Sequence, residues 1–214
     1  MTSGTRQKTE TQRRRYLPSV ERKREILDAA LIEFSSHGYA AATIERIAAR
    51  AGLSKAGIYA HYKSKDEVFE DLLETALTPS LKDDGMLPAA AGAALPEVVA
   101  SYVDQMYDRL DEPIVMATFQ LLITESRRTP ELIRRWYDRM LEPRRIRDQA
   151  AVDEYVGNGI MRHSALTEHF MLSAAPLVMW IVMRMLYQDN DLPLSLEQVR
   201  EVHKQLLLDA LQPR

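Results

Sequence analysis

Apolar positions recur along the chain at the three-and-four spacing of helices, and no segment alternates with the period of two that a strand requires. From Ser19, read as an N-cap, Ile26, Leu27, Ala30, Leu31 and Phe34 keep one face apolar until His37-Gly38, where glycine offers a left-handed end. Thr43 then precedes Ile44, Ile47, Ala48 and Ala51, and Gly52 stops this second helix. Ser54 caps a third helix expected over 55–62, and Ser64 with Glu67 makes a capping box for a fourth that carries Val68, Phe69, Leu72, Leu73 and Ala76. After Leu77 a stretch rich in Pro, Gly and Ala reads as a boundary. Further helices are predicted over roughly 96–110, 113–125, 130–156, 164–188 and 195–211, with kinks where Pro143 and Pro176 fall inside two of them. The pattern predicts an all-α fold.

Charge divides the chain more sharply than hydropathy does. The net charge of −3 hides a basic first third: residues 1–65 hold 13 Lys and Arg against 6 Asp and Glu, leaving 15 against 25 beyond. A positive head beside a negative remainder points to a polyanion partner for the head alone. Residues 1–18 are polar and basic, with Arg13, Arg14 and Arg15 in a row, and read as a flexible arm rather than a signal peptide. With 46% hydrophobic residues in 214, the chain can bury a core, and having no cysteine it has no disulfides, thiolate metal sites or cysteine nucleophile. The longest nearly uninterrupted apolar run, Ala174–Met183, is far short of the roughly 20 residues that a bilayer span needs. No membrane partner and a cytoplasmic location are the expectation.

The segment 43–65, TIERIAARAGLSKAGIYAHYKSK, places two short helices around Ala51-Gly52-Leu53-Ser54. That is a helix-turn-helix: Gly52 permits the sharp turn, and Ile44, Ile47, Ala48, Leu53 and Ile58 form the small core that sets the interhelical angle. The second helix is the candidate reader. Its small residues Ala56, Gly57 and Ala60 let the backbone approach a major groove, Lys55 can reach guanine edges or phosphate, and Tyr59 and His61 can donate to flanking phosphates. Arg13–Arg15 in the arm are candidates for the minor groove.

The order T-[apolar]-x-x-I-A-x-x-A-G-[apolar]-S-x-x-x-[apolar]-Y-x-[HY]-[FY]-x-[SN]-K resembles the DNA-binding domain of the TetR/AcrR family of transcriptional regulators over residues 20–77. The resemblance implies an N-terminal three-helix DNA-binding domain with a helix-turn-helix (19–77), followed by a helical effector-binding and dimerisation domain (78–214). It implies phosphate contact by Thr43, Tyr59, His61 and Lys65, with Ser54 in the contact set and Lys55, Ala56 and Gly57 facing base edges. Glu45 stands where some members place a base-contacting Arg, so Arg46 or the arm is expected to supply that charge.

Beyond residue 80 the resemblance is weak. Tyr102, Met106, Met116, Phe119, Gln120, Trp136, Tyr137, Met140, Tyr155 and His169 are candidate liners of a deformable apolar cavity, because methionine and aromatic side chains adapt to irregular ligands. The last two helices carry more apolar surface than one pair can hide. Met171, Val178, Met185, Val199, Val202 and Leu206 are therefore expected in a two-fold homodimer interface, which would also set two reader helices about 34–36 Å apart. No zincin, Walker, nucleophile-elbow or di-iron motif occurs, and no cofactor or metal is expected. The expected function is a homodimeric regulator, a repressor, that binds a pseudo-palindromic double-stranded operator and is released by a small, largely apolar effector. A regulator without a ligand, or a helical lipid- or drug-binding carrier or enzyme, stays open at this point.

Overall fold

The computed structural model describes residues 19–77, 86–87, 94–187 and 192–213, and every regular element among them is a helix. The head comprises α1 (Ser19–Ala41), α2 (Ile44–Arg50), α3 (Lys55–Tyr59) and α4 (Lys65–Leu77). The body comprises α5 (Leu95–Tyr107), α6 (Pro113–Glu125), α7 (Pro130–Trp136), α8 (Glu142–Gly157), α9 (Ala165–Glu168), α10 (Ala175–Leu186) and α11 (Leu196–Leu211). No helix among the described residues is long and apolar enough to cross a membrane.

The punctuation of the head follows local chemistry. Gly38, at φ +75°, bends the end of α1, and Gly52, at φ +65°, makes the turn between α2 and α3; both conformations are costly for any residue with a Cβ. The candidate reader helix is shorter than expected, ending at Tyr59 rather than 62.

The two internal prolines act as anticipated, by different devices. Pro143 sits at the start of α8, just after a π turn over Tyr137–Leu141 in which the Glu142 amide donates to the Tyr137 carbonyl. The wide turn takes up one residue and lets the helix restart where proline has no hydrogen to give. Pro176 cannot donate to Leu172, whose carbonyl instead accepts from the Ala175 amide in a 3₁₀ turn over Phe170–Ala174. The single helix expected over 164–188 is thus broken twice, at His169 and at Ala174.

Two cores form. One unites α5, α8, the 3₁₀ turn, α10 and α11 around Val98, Tyr102, Val152, Tyr155, Phe170 and Leu211. The other fills the head with Ile26, Phe34, Ile47, Ile58, Phe69 and Leu72, and is closed by Leu121 of α6 and Leu132 and Trp136 of α7. Leu77 and Ile114 pack against both, so the cores do not part cleanly at residue 77.

His203 shows how the body core tolerates a polar group. It is fully buried; its Nε2 lies 2.7 Å from the Ser173 carbonyl, which can only accept, so Nε2 carries the proton and Nδ1 accepts from the Tyr107 hydroxyl at 3.2 Å. Burial lowers its pKa below the ordinary value. The unfolded chain therefore takes up a proton first as pH falls, and stability present above about pH 6.5 is lost as pH drops from there toward the folded pKa. We expect urea unfolding from pH 7.5 to 5 to show this decline in the parent protein and a flatter profile in His203→Asn. Parallel profiles would show that His203 does not titrate on unfolding.

Candidate nucleic-acid interface

The helix-turn-helix is assembled by its caps. Thr43 Oγ1 accepts from the Arg46 amide at 3.3 Å to start α2, and Ser54 Oγ accepts from the Gly57 amide at 3.1 Å to start α3. Ile58 is completely buried on one side of α3, while Ser54, Lys55, Ala56, Tyr59 and Ala60 lie on the exposed side with Thr43 nearby in sequence at the head of α2. His61 is half-buried. Small and polar groups on the outward face and one apolar anchor on the inward face suit a helix that must sit in a groove.

Electrostatics adds partners that the sequence pattern did not reveal. Lys55 Nζ makes an ion pair with Glu45 and lies 5.8 Å from the centre of the Tyr59 ring. The hydrogen bond to Lys55 holds the Glu45 carboxyl below its usual pKa and raises that of Lys55. Glu45 thus holds Lys55 of the candidate reader helix in place across the turn. Glu33, almost fully buried on α1, faces Arg46 at 3.4 Å and Arg50 at 3.6 Å, so the cation expected to replace the missing arginine is braced from behind. A carboxylate at an inward phase of α1 was the available signal for this brace.

Two expected contacts are placed differently. Gly57 was expected at base edges, but a Cβ there would meet Leu53 Cβ at 3.4 Å, so its bare face turns toward the preceding turn. Lys65 was expected at phosphate, but its Nζ donates to the carbonyls of Tyr39 at 2.7 Å and Ala42 at 2.9 Å and sits 4.3 Å from the Tyr39 ring centre. The carbonyls left open at the end of α1 attract a cation, and burial there lowers the Lys65 pKa. Lys65→Met should therefore cost about 1–3 kcal/mol of stability through lost charge-assisted hydrogen bonds. A phosphate role would instead lower the salt slope of DNA binding by about 0.9 with stability unchanged. Arg13, Arg14 and Arg15 lie outside the described residues.

The body holds an apolar cavity of about 190 Å³ between the end of α4 and α5, α6, α8 and α10. Of the liners expected from sequence, Met106 and Phe119 reach it. Met116 and Gln120 each lie one residue beyond a lining position on α6, about 100° around the helix, Met116 packing on the body core and Gln120 exposed. Tyr102 and Tyr155 are body core, Tyr102 hydrogen-bonded to Ser173 at 2.7 Å. Trp136 belongs to the head core, Met140 packs against it, and Tyr137 and His169 are exposed.

On the last two helices Val178, Val202 and Leu206 are exposed, together with Met179, Val182 and Leu186, and Met171 is exposed in the 3₁₀ turn that precedes them. Val199 is instead buried in the body core and Met185 packs against it, because both face inward across the α10–α11 pair.

Head and body are joined along α4. Asp66 accepts from Arg135 at 2.8 Å and from the Tyr39 hydroxyl, and these bonds hold its carboxyl below the usual range. Glu70, nearly buried, pairs with Arg135 at 2.9 Å and with Arg139, within the π turn, at 2.7 Å. At the other end, Arg109 Nη1 donates to the Thr75 carbonyl at 2.7 Å, and Ala76 and Leu77 line the cavity.

The family model described as "Bacterial regulatory proteins, tetR family" matches residues 26–72. The HTH-type transcriptional repressor SCO4008 of Streptomyces coelicolor is 37% identical over 87 residues, 40% of this chain and 41% of that protein. The HTH-type transcriptional repressor AcnR of Corynebacterium diphtheriae is 32% identical over 143 residues, 64% of this chain and 65% of that one. The matched stretches thus span less than two thirds of those relatives. A TetR-family transcriptional regulator from Pseudomonas syringae shares the fold with a TM-score of 0.69 at 20% identity, covering 91% of this chain and 98% of that structure.

Proposed function

We propose that this chain, whose residues 26–72 match the tetR family of bacterial regulatory proteins, is a transcriptional regulator, acting as a repressor, whose dimer binds a pseudo-palindromic operator and is released by a small, largely apolar effector. The observation that carries this reading is α4: its first half is fastened beside the helix-turn-helix and to α7, and its last turn forms a wall of the cavity. A ligand that moves that wall moves the head. The coupling required is modest, since about 1–3 kcal/mol changes affinity by 5–150-fold. Thr43, Arg46, Ser54, Lys55, Ala56, Tyr59 and His61 are the contact set, with Arg13–Arg15 in the arm. Lys55 must leave Glu45 to reach a base or phosphate, a step whose cost falls on every sequence alike and is recovered where the acceptor is well placed.

The exposed apolar residues of α10, α11 and the 3₁₀ turn before them support the dimer. A patch built from Met171, Val178, Met179, Val202 and Leu206 has the composition of a buried helix-pair interface, and two-fold pairing would hide the same surface on both copies.

The test is selection of genomic fragments by the purified protein, followed by affinity across a salt series. One inverted-repeat motif, with binding weakened in Lys55→Ala and Tyr59→Ala, is the expected result. Salt-sensitive binding without a motif would leave only a non-specific polyanion grip and end the operator reading.

A further inference from the structure

We propose that the effector is a small apolar carboxylic acid whose carboxylate is received by Arg144; this rests on the reading of the cavity as the effector site. Most of the lining is hydrocarbon, with Leu77, Leu110, Phe119 and Leu177 among its walls. A dry cavity of about 150 Å³ holds benzene, so about 190 Å³ has room for a ring or short chain bearing one small polar group.

Arg144 is what gives the cavity a chemical preference. Its side chain is only 8% exposed, it lines the cavity, and its Nη2 has no hydrogen-bond partner among the described residues. Its one carboxylate neighbour among the described residues, Asp148, stands 3.8 Å from Nε, too far for a hydrogen bond, and the other Asp148 oxygen accepts from the Met86 amide at 3.2 Å. The remaining polar groups on the wall are engaged: Arg109 makes paired bonds to Glu112 at 2.8 and 3.0 Å and a third to Thr75, and Gln105 Nε2 donates to Met86 and Ser101.

A guanidinium keeps its charge at any ordinary pH, and leaving it buried with an open N–H is costly. A carboxylate answers with two parallel acceptors and one negative charge. A neutral ligand satisfies less of the fork, and a cation is repelled. A dianion such as a phosphate monoester would bring its second charge close to Asp148, which singles out the monoacid. Arg144 lies just after the π turn that carries Arg139, so an acid seated between Arg144 and Leu77 would touch the start of α8 and the end of α4 together.

The test uses the full chain and calorimetric titration with 3-phenylpropanoate and octanoate, their primary amides, and 3-phenylpropylamine. The acids should bind about tenfold to hundredfold more tightly than the amides, the difference a charge-assisted hydrogen bond supplies. The amine should not bind. Arg144→Gln should erase the preference for acid over amide and Arg144→Lys should keep part of it. Equal affinity of acid and amide, survival of the preference in Arg144→Gln, or no binding of any probe at millimolar concentration each overturns the proposal. The comparison of acid with amide on the parent protein does not depend on either variant folding. Fragment selection by the same preparations separates the two readings. An inverted repeat recovered without acid preference removes only the acid, and acid binding through Arg144 without a recovered motif removes the operator instead.

Discussion

Ala56→Glu should weaken binding to the selected operator by about 100-fold or more while leaving the fold intact, because it adds a negative charge where phosphates and base edges converge, and such like-charge contacts cost several kcal/mol. Ala56 is exposed at the start of α3, so no core packing is lost. A carboxylate near a helix N-terminus is if anything favoured, and surface changes of this kind usually stay within about 0.5 kcal/mol in stability. In a symmetric dimer the substitution enters both half-sites and its cost is counted twice. A merely non-specific grip would respond differently, losing affinity uniformly and only by the weight of one charge in a field of many. Operator affinity within about threefold of the parent at fixed salt would show that α3 does not enter the groove, and the reader would have to be sought elsewhere on the head. Paired thermal melts keep the interpretation clean: a fall in melting temperature would mean that Ala56 is not the free surface position its exposure implies.

The helix-turn-helix was legible because its instructions are local. Thr43 and Ser54 satisfy amides three residues away, and Gly52 is needed by its own φ, so sequence spacing already contains the geometry. The cavity was not legible in the same way. Whether Phe119 or Gln120 faces it depends on how α6 is rotated against α5, a tertiary choice that methionine and aromatic content does not encode. Lys65 misled for a related reason. Its position after the reader helix fits a phosphate contact equally well, but the carbonyls at the end of α1 come from residues more than twenty positions away and claim it first. Val199 carried the right character for an interface and the wrong phase. Arg144 gave no signal at all within a basic stretch, since only the fold distinguishes the one guanidinium that is buried from the neighbours that are solvated.

Trp136 offers the sharpest contrast between character and placement. Expected as a cavity wall, it closes the head core from α7, beside Leu132 and against the side of α4 that carries Phe69 and Leu73. Trp136→Ala should therefore cost about 3–5 kcal/mol, as deletion of a buried aromatic does, and lower the melting temperature by about 6–20 °C for a chain of this size. Trp136→Phe should cost clearly less than Trp136→Ala, because it keeps one ring in the core and the buried indole Nε1 has no hydrogen-bond partner among the described residues to lose. Neither change should alter the ratio of acid to amide affinity in the cavity. A small stability loss with weakened ligand binding would return Trp136 to the cavity. The expected pattern instead makes α7 a structural part of the head, so that the pairing of Arg135 and Arg139 with Glu70 joins two surfaces already packed on one core. Under that arrangement a shift of α7 or of the π turn behind it cannot be absorbed by a loose hinge between head and body. Part of it falls on α4, which packs against α7 and directly against α1, on which the helix-turn-helix is seated.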